Sequence, residues 1–141
     1  MNYILFENNH ALLRPFSDLH ASFELRTGVF NNIERLIESI SSNDSIQLYV
    51  REDIKDLIKE RYPKVSVNPD YFDPGVYLNG SCIWYPELLE SIDNNRSYSD
   101  QNGLLAFHSD LKILIEDVSD AIKDQSNIST RLENVICVKY L

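Results

Sequence analysis

The sequence of 141 residues has two cysteines, four glycines and no cluster of lysine or arginine. Cys82 and Cys137 form neither a CxxC pair nor a dense disulfide pattern, which predicts two reduced thiols in the core. Thirteen Lys and Arg residues against 22 Asp and Glu residues give a net charge of −9. Binding to nucleic acid or to an anionic membrane surface is therefore not expected, because both need clustered positive charge.

The sequence also lacks a long hydrophobic run. Its longest apolar runs, such as residues 103–107, are far shorter than the ~20 residues of a membrane-spanning helix. The N-terminus has no basic segment of the kind that opens a signal peptide. We therefore expect a cytoplasmic protein. A hydrophobic content of 43% is that of an ordinary globular protein, and the length predicts one domain over residues 1–141.

Short runs of strand-forming residues alternate with helical segments along the chain. Strands are predicted at residues 3–6, 46–50, 65–67, 76–78, 104–107 and 135–138. Helices are predicted at residues 29–40, 52–62, from Pro86 onward, and at 110–123, where Leu111 and Leu114 are expected to be buried. Residues 93–102 are predicted to be polar and exposed. This order predicts a three-layer α/β/α sandwich with a mostly parallel sheet.

Ligands of such sheets bind beyond the carboxyl ends of the strands, so the loops after Phe6, Val50, Leu78 and Phe107 are the expected site. The first of them, residues 7–15, contains no glycine, which excludes the dinucleotide fingerprint and the Walker loop. Arg14 and Arg26 are the basic side chains near this edge. They could hold phosphates by bidentate bonds, or they could form surface ion pairs with neighbouring carboxylates.

Glycine-containing turns offer two further candidates. Gly28 either lets the backbone approach a ligand or eases a tight turn. Asn79-Gly80-Ser81 either directs an amide side chain into the crevice or is a plain turn. No metal-binding residues are predicted, because the Asp18-x-His20 and His108-x-Asp110 pairs are most simply solvated surface groups.

Several segments carry a family resemblance. They are residues 2–7, 12–16, 24–29, 49–53, 60–63, 77–81 and 138–141, and the Leu25-Arg26-x-Gly28 and Asn79-Gly80 pieces are the most specific of them. Together they resemble a bacterial family of sugar nucleotidyltransferases. That family is related to the uridyltransferase half of the bifunctional glucosamine-1-phosphate enzyme that makes UDP-N-acetylglucosamine.

The resemblance implies a nucleotide-diphospho-sugar transferase fold in truncated form, which is either a degenerate sugar-nucleotide or nucleotide-binding module or the N-terminal part of a longer protein. In the reaction it implies, a sugar 1-phosphate attacks the α-phosphate of a nucleoside triphosphate on Mg²⁺. Arg14 and Arg26 would be the catalytic residues beside the triphosphate. The residues implied to bind the nucleotide or sugar nucleotide are Phe6, Glu7, Gly28, Asn79, Gly80 and Ser81.

A second hypothesis comes from another class of protein. On the same fold, the chain could be a catalytically silent interaction or regulatory domain that binds a protein partner or a second copy of itself. The eight tyrosines and the acidic composition would suit such a surface.

Overall fold

A computed structural model describes residues 1–7, 13–14, 16–101, 103–132 and 135–137. Within these residues the chain forms nine strands and four α-helices. The strands are β1 (Asn2–Phe6), β2 (Ser45–Tyr49), β3 (Ser66–Val67), β4 (Tyr71–Phe72), β5 (Gly75–Asn79), β6 (Tyr98–Asp100), β7 (Gly103–Ser109), β8 (Ile113–Leu114) and β9 (Thr130–Arg131). The helices are α1 (Asn32–Ser39), α2 (Lys55–Arg61), α3 (Pro86–Glu90) and α4 (Val118–Asn127). Most of the predicted loop at 7–15, and residues 138–141, lie outside the described residues.

One seven-stranded sheet, in the order β3-β2-β1-β5-β7-β6-β9, forms the centre of the fold. β1 runs parallel to both its neighbours, and Leu5 lies opposite Leu48 on β2 and Leu78 on β5. β7 runs antiparallel to β5, and β6 antiparallel to β7. β4 and β8 form a separate antiparallel ribbon. The prediction of a mostly parallel sheet is confirmed.

Both faces of the sheet are covered, because successive residues of a strand point to opposite sides. Leu5 packs on one face in a core with residues from α1 and α2. Its neighbours Ile4 and Phe6 pack on the other face in a second core with Phe72 of the ribbon and Val118 of α4. This confirms the predicted three-layer arrangement and explains why the central strands read as unbroken apolar runs.

Helix α1 begins three residues later than its apolar spacing predicts. Its N-cap is Asn31, whose Oδ1 accepts a 2.9 Å hydrogen bond from the Glu34 amide, while Glu34 Oε2 accepts one of 3.0 Å from the Asn31 amide. This reciprocal capping fixes the first turn. Val29, predicted to lie on the helix, precedes the cap and is 79% exposed.

The helix predicted at residues 110–123 is only half helical. Ile113 and Leu114 form β8 and pair with β4, and the Ile115 amide donates to the carbonyl of Asp70 at 3.0 Å. A 3₁₀ turn at Ile115–Asp117 then leads into α4. Leu111 and Leu114, both predicted to be buried, are 75% and 48% exposed. The pairing of β8 with a distant strand overrides the local helical spacing.

The polar segment predicted as exposed at 93–102 contains a strand. Ser97 and Tyr98 are buried, and β6 pairs with both β7 and β9. The Tyr98 hydroxyl accepts a 3.0 Å hydrogen bond from the Asp93 amide. Polar residues enter this part of the sheet because their hydrogen bonds are satisfied there.

The two cysteines are bonded to each other, so the prediction of two free thiols is wrong. Cys82 and Cys137 form a disulfide across an isolated antiparallel bridge. The Ile83 amide also donates to the Ile136 carbonyl at 2.9 Å. A strand was predicted at residues 135–138. Of these, the described residues 135–137 form only this bridge. A sequence separation of 55 residues gave no sign that the fold brings these positions together.

Asn68 closes the turn after β3 with its side chain and contributes to the stability of the fold. Its backbone φ is 45°, and its side chain donates to the Val50 carbonyl at 2.8 Å and accepts from the Val50 amide at 2.9 Å. The Asn68→Ala substitution removes both bonds and places alanine in the left-handed region. We expect it to lower the free energy of unfolding, measured in urea, by about 2–3 kcal/mol.

The control for this prediction is Asn68→Gly, which removes the same side chain but tolerates the positive φ. It should destabilise the protein less than alanine does. Equal losses in the two variants would show that the backbone conformation contributes nothing to stability.

No helix in the described part of the chain is long and apolar enough to cross a membrane.

Candidate functional site

The carboxyl ends of β1, β2 and β5 meet at one edge of the sheet. Hydrogen bonding between the strands continues past their ends, because the Glu7 amide donates to the Tyr49 carbonyl at 3.0 Å. On the other side, the Gly80 amide donates to the Phe6 carbonyl at 2.8 Å. The residues that follow the three strands therefore lie side by side, as expected for a site in an open parallel sheet.

A crevice of about 320 Å³ opens at the ends of β1 and β2, next to α4. We call it the edge crevice; its lining residues are Glu7, Tyr49, Val50, Arg51, Ser119, Ile122 and Lys123. Its volume lies within the range of small-molecule sites, roughly 300–1,000 Å³. One side is aromatic and apolar, and Arg51 and Lys123 supply positive charge, so the crevice suits a ligand with an anionic group.

Arg51 is the most connected side chain at this edge. Its guanidinium group forms an ion pair with Glu7 in which the two side chains are 16% and 4% exposed, and the Arg51 amide donates to Glu7 Oε2 at 3.2 Å. The Arg51 guanidinium group also donates to the Ser17 carbonyl, and its Nε lies 3.0 Å from Asp53 Oδ1. Glu7, implied by the resemblance to bind the nucleotide, therefore lines the crevice with its carboxylate held by Arg51.

A smaller cleft of about 70 Å³ adjoins Arg51; its lining residues are Arg14, Ser17, Asp18, Arg51 and Asp53. Arg14 lies here with its side chain 68% exposed, and its Nε is 3.7 Å from Asp18. The fold thus brings one of the two sequence-predicted arginines next to Arg51. It also shows Arg14 in an ion pair, the alternative that the sequence left open.

The other predicted arginine lies elsewhere. Arg26 donates from Nη1 to the Val29 carbonyl at 2.6 Å, and the same nitrogen is 3.8 Å from Glu34. Gly28 adopts a φ of 91° in the same turn, which is the conformational role of glycine that the sequence allowed. Neither Arg26 nor Gly28 lines the edge crevice or the smaller cleft. Both belong to the turn that leads into α1.

Asn79, Gly80 and Ser81 form a buried turn at the end of β5. The Asn79 side chain donates to the Leu104 carbonyl at 3.0 Å and accepts from the Ser81 amide at 2.9 Å, so its amide is engaged inside the protein. A Cβ atom on Gly80 would lie 3.0 Å from the Phe6 carbonyl oxygen. The turn thus packs tightly beside Phe6 and positions the strand ends.

The buried carboxylate of Glu24 connects the segment before α1 to the end of α2. Glu24 accepts hydrogen bonds from the Ala21 amide at 3.0 Å and from Arg61 at 2.8 Å. Tyr62 donates to the same carboxylate at 3.3 Å, and burial, followed by the negative charge of Glu24, raises the pKa of Tyr62 to about 12. The phenol therefore stays protonated and remains a donor to Glu24 across the physiological pH range.

Sequence reasoning did not select Arg51 or Lys123 as site residues. Arg51 could have been found, because it follows β2 at the carboxyl edge and lies within one of the segments that carry the resemblance. Lys123 could not, because its segment was predicted as one long helix, and the sequence does not show that this segment lies beside the end of β2.

The carboxylates at this edge do not fit a Mg²⁺ site. The described part of the chain holds no group of three or more His, Cys, Asp or Glu side chains that could bind a metal ion. Glu7 and Asp53 are both paired with Arg51.

The chain is an α/β protein with a mostly parallel sheet, and its crevice lies beyond the carboxyl ends of the strands, where proteins of this class bind their ligands. A family model for sugar nucleotidyl transferases matches residues 3–141. The chain belongs to this sugar nucleotidyl transferase family.

The structure is similar to that of the CTP:phosphocholine cytidylyltransferase from Streptococcus pneumoniae, with 14% sequence identity and a TM-score of 0.47. The similarity covers 99% of this chain and 93% of that one. No curated protein matches the chain.

Proposed function

We propose that the chain is a nucleotidyltransferase-like domain that binds a nucleotide or sugar nucleotide in the edge crevice. The observation that carries the proposal is the presence of Arg51 and Lys123 in a crevice beyond the carboxyl ends of β1 and β2. Tyr49 and Ile122 give the same crevice an aromatic and an apolar surface against which a base can pack.

Charge supports this assignment. The protein carries a net charge of −9, so its overall field repels an anionic ligand and phosphates must be held by local cations. Arg51 already compensates Glu7 and Asp53. Lys123 forms no ion pair with any described residue and is exposed, which leaves its ammonium group available to a phosphate.

Thermal unfolding with nucleotides tests the proposal. UTP, dTTP and UDP-N-acetylglucosamine are titrated with and without MgCl₂. A nucleotide present at 100 times its dissociation constant should stabilise the fold by about 2.7 kcal/mol, which is a visible rise in Tm. The Lys123→Gln substitution should weaken binding by roughly tenfold, since it removes a charge-assisted contact worth about 1.5 kcal/mol or more.

Lys59→Gln is the matched control, because Lys59 lies on α2 and is not a lining residue of the edge crevice. It removes the same charge from the protein and should leave nucleotide binding unchanged. If no nucleotide raises Tm, or if both variants bind as tightly as the parent, the proposal fails.

The more specific expectations are part of this proposal. A relationship to the UDP-N-acetylglucosamine-forming enzymes favours a uridine nucleotide as ligand, and the cation expected with it is Mg²⁺. A single domain over residues 1–141 and a cytoplasmic location stay predictions.

One observation favours the alternative hypothesis of an interaction domain. Phe30 and Tyr85 are 38% and 42% exposed and flank the Arg35 guanidinium group, whose Cζ lies 6.0 and 5.6 Å from their ring centroids. Val29, 79% exposed, adjoins Phe30 in sequence. Exposed aromatic and arginine side chains are typical of protein interfaces. A protein that responds to no nucleotide but self-associates in a manner abolished by Phe30→Ser would fit this alternative.

A further inference from the structure

A second pocket lies near the opposite edge of the sheet. It has a volume of about 400 Å³, and its lining residues are Asn94, Asn95, Arg96, Ser97, His108, Gln125, Ile128 and Thr130. We call it the amino-edge pocket, because His108 pairs with Val76 near the start of β5, whereas the candidate site lies beyond the end of β5. Four residues of strand, about 13 Å, separate Val76 from Gly80.

The side chains of this pocket are unusual for so acidic a protein. The whole chain has 22 Asp and Glu residues, but the described residues that line the pocket include no carboxylate. Arg96 and His108 can carry positive charge, and five other lining residues have neutral amide or hydroxyl groups. Asp93 and Asp110 lie beside Arg96 and His108 but outside the lining, so the groups that face the pocket are donors, which suit an anionic ligand.

Each of the two cationic groups has one carboxylate neighbour outside the lining. His108 is 10% exposed, and its Nδ1 lies 3.4 Å from Asp110, which is itself 90% exposed. Because Nδ1 faces Asp110, Nε2 is the ring nitrogen left for a ligand. Arg96 is 63% exposed and its Nε lies 3.8 Å from Asp93, which leaves the two terminal nitrogens of its guanidinium group for a ligand.

The polar walls are connected by hydrogen bonds. The Ser97 hydroxyl donates to Gln125 Oε1, and the Thr130 amide donates to the Ser97 carbonyl at 2.7 Å. Since Gln125 accepts through Oε1, its Nε2 remains a donor. The Asn95 amide donates to Asp93 Oδ1 at 2.9 Å. The pocket is therefore formed before any ligand arrives, which reduces the entropic cost of binding.

We propose that the amino-edge pocket binds a small phosphate monoester. Its phosphoryl oxygens accept hydrogen bonds from Arg96 and His108, and the hydroxyl groups of its organic part lie against Asn94, Asn95 and Gln125. A guanidinium group suits this role because its donors match two phosphate oxygens at once. The site is separate from the edge crevice and does not depend on the proposed nucleotide binding.

Isothermal titration of the full chain tests the proposal with inorganic phosphate, glucose 6-phosphate and uncharged glucose as probes. The expected result is saturable binding of glucose 6-phosphate, weaker binding of phosphate and none of glucose. Arg96→Gln should weaken glucose 6-phosphate binding at least tenfold. Because Arg96 is largely exposed, this variant should fold normally, and its urea midpoint verifies that.

The His108→Gln variant, which keeps a donor but replaces the imidazole, should also weaken glucose 6-phosphate binding. The controls are Lys123→Gln and Lys59→Gln, both outside the amino-edge pocket, and neither should alter glucose 6-phosphate binding. Absence of saturable binding, equal binding by Arg96→Gln, or binding of glucose as tight as that of its phosphate would each overturn the proposal. Nucleotide binding should be unchanged in Arg96→Gln, so the two proposals fail independently.

Discussion

Replacing Arg51 by alanine is expected to lower the free energy of unfolding by about 3–5 kcal/mol, the usual cost of removing one partner of a buried ion pair. Glu7 is 4% exposed, so its charge would stay buried without compensation. The Ser17 and His20 carbonyls would lose a donor in the same step. Urea unfolding followed by the fluorescence of Trp84 measures the loss.

Arg14→Ala is the matched control, because Arg14 lies in the neighbouring cleft but its ion pair with Asp18 is exposed on both sides. It should cost about 1 kcal/mol or less. The double variant Glu7→Gln/Arg51→Ala should lose less than the sum of its two single variants, since no uncompensated charge remains. Additive losses would show that Glu7 and Arg51 are not energetically coupled in the folded protein.

Gly75→Ala is expected to destabilise the protein by about 3 kcal/mol or more, at the upper end of overpacking effects. Gly75 begins β5, next to the start of β1. A Cβ atom there would lie 2.2 Å from the Asn2 carbonyl oxygen and 2.9 Å from its carbon. Backbone atoms in a sheet cannot rotate away as a flexible side chain can, so β1 and β5 must separate. Thermal unfolding gives the shift in Tm.

Gly28→Ala separates this steric effect from the general cost of losing a glycine. A Cβ on Gly28 would meet nothing within 4 Å, although its φ of 91° disfavours alanine. A loss of roughly 1–2 kcal/mol is expected there. If Gly75→Ala proves milder than Gly28→Ala, the close approach of β5 to Asn2 is not a tight constraint on the fold.

The parallel half of the fold could be predicted from the sequence. β1, β2 and β5 carry apolar residues on both faces, because each is buried between helical layers, and such runs are visible without any partner. Helices α1 and α2 were found from their apolar spacing. The candidate edge of the sheet follows from the same pattern, since parallel strands end together.

The short strands outside this half could not be predicted in the same way, although β7 was predicted at residues 104–107. β4, β8 and β9 have two residues each and exist only through their pairing with distant strands, which no local pattern encodes. The disulfide and the contact of Lys123 with the edge crevice likewise depend on where α4 and residues 135–137 lie in the folded chain. Arg26 was selected for its position in the sequence, but the turn before α1 directs it to Val29 and Glu34.

The disulfide turns residues 82–137 into a covalent ring that contains β6, β7, α4 and β9, whereas β1, β2 and β5 lie on an open tail. In the chain-entropy picture, closing a ring of this length stabilises the fold by about 4 kcal/mol. A single backbone cut inside the ring leaves one molecule until a reductant is added, when it becomes two. A cut in the tail releases a fragment at once on denaturation. The pattern of fragments with and without reductant thus distinguishes cuts inside the ring from cuts in the tail.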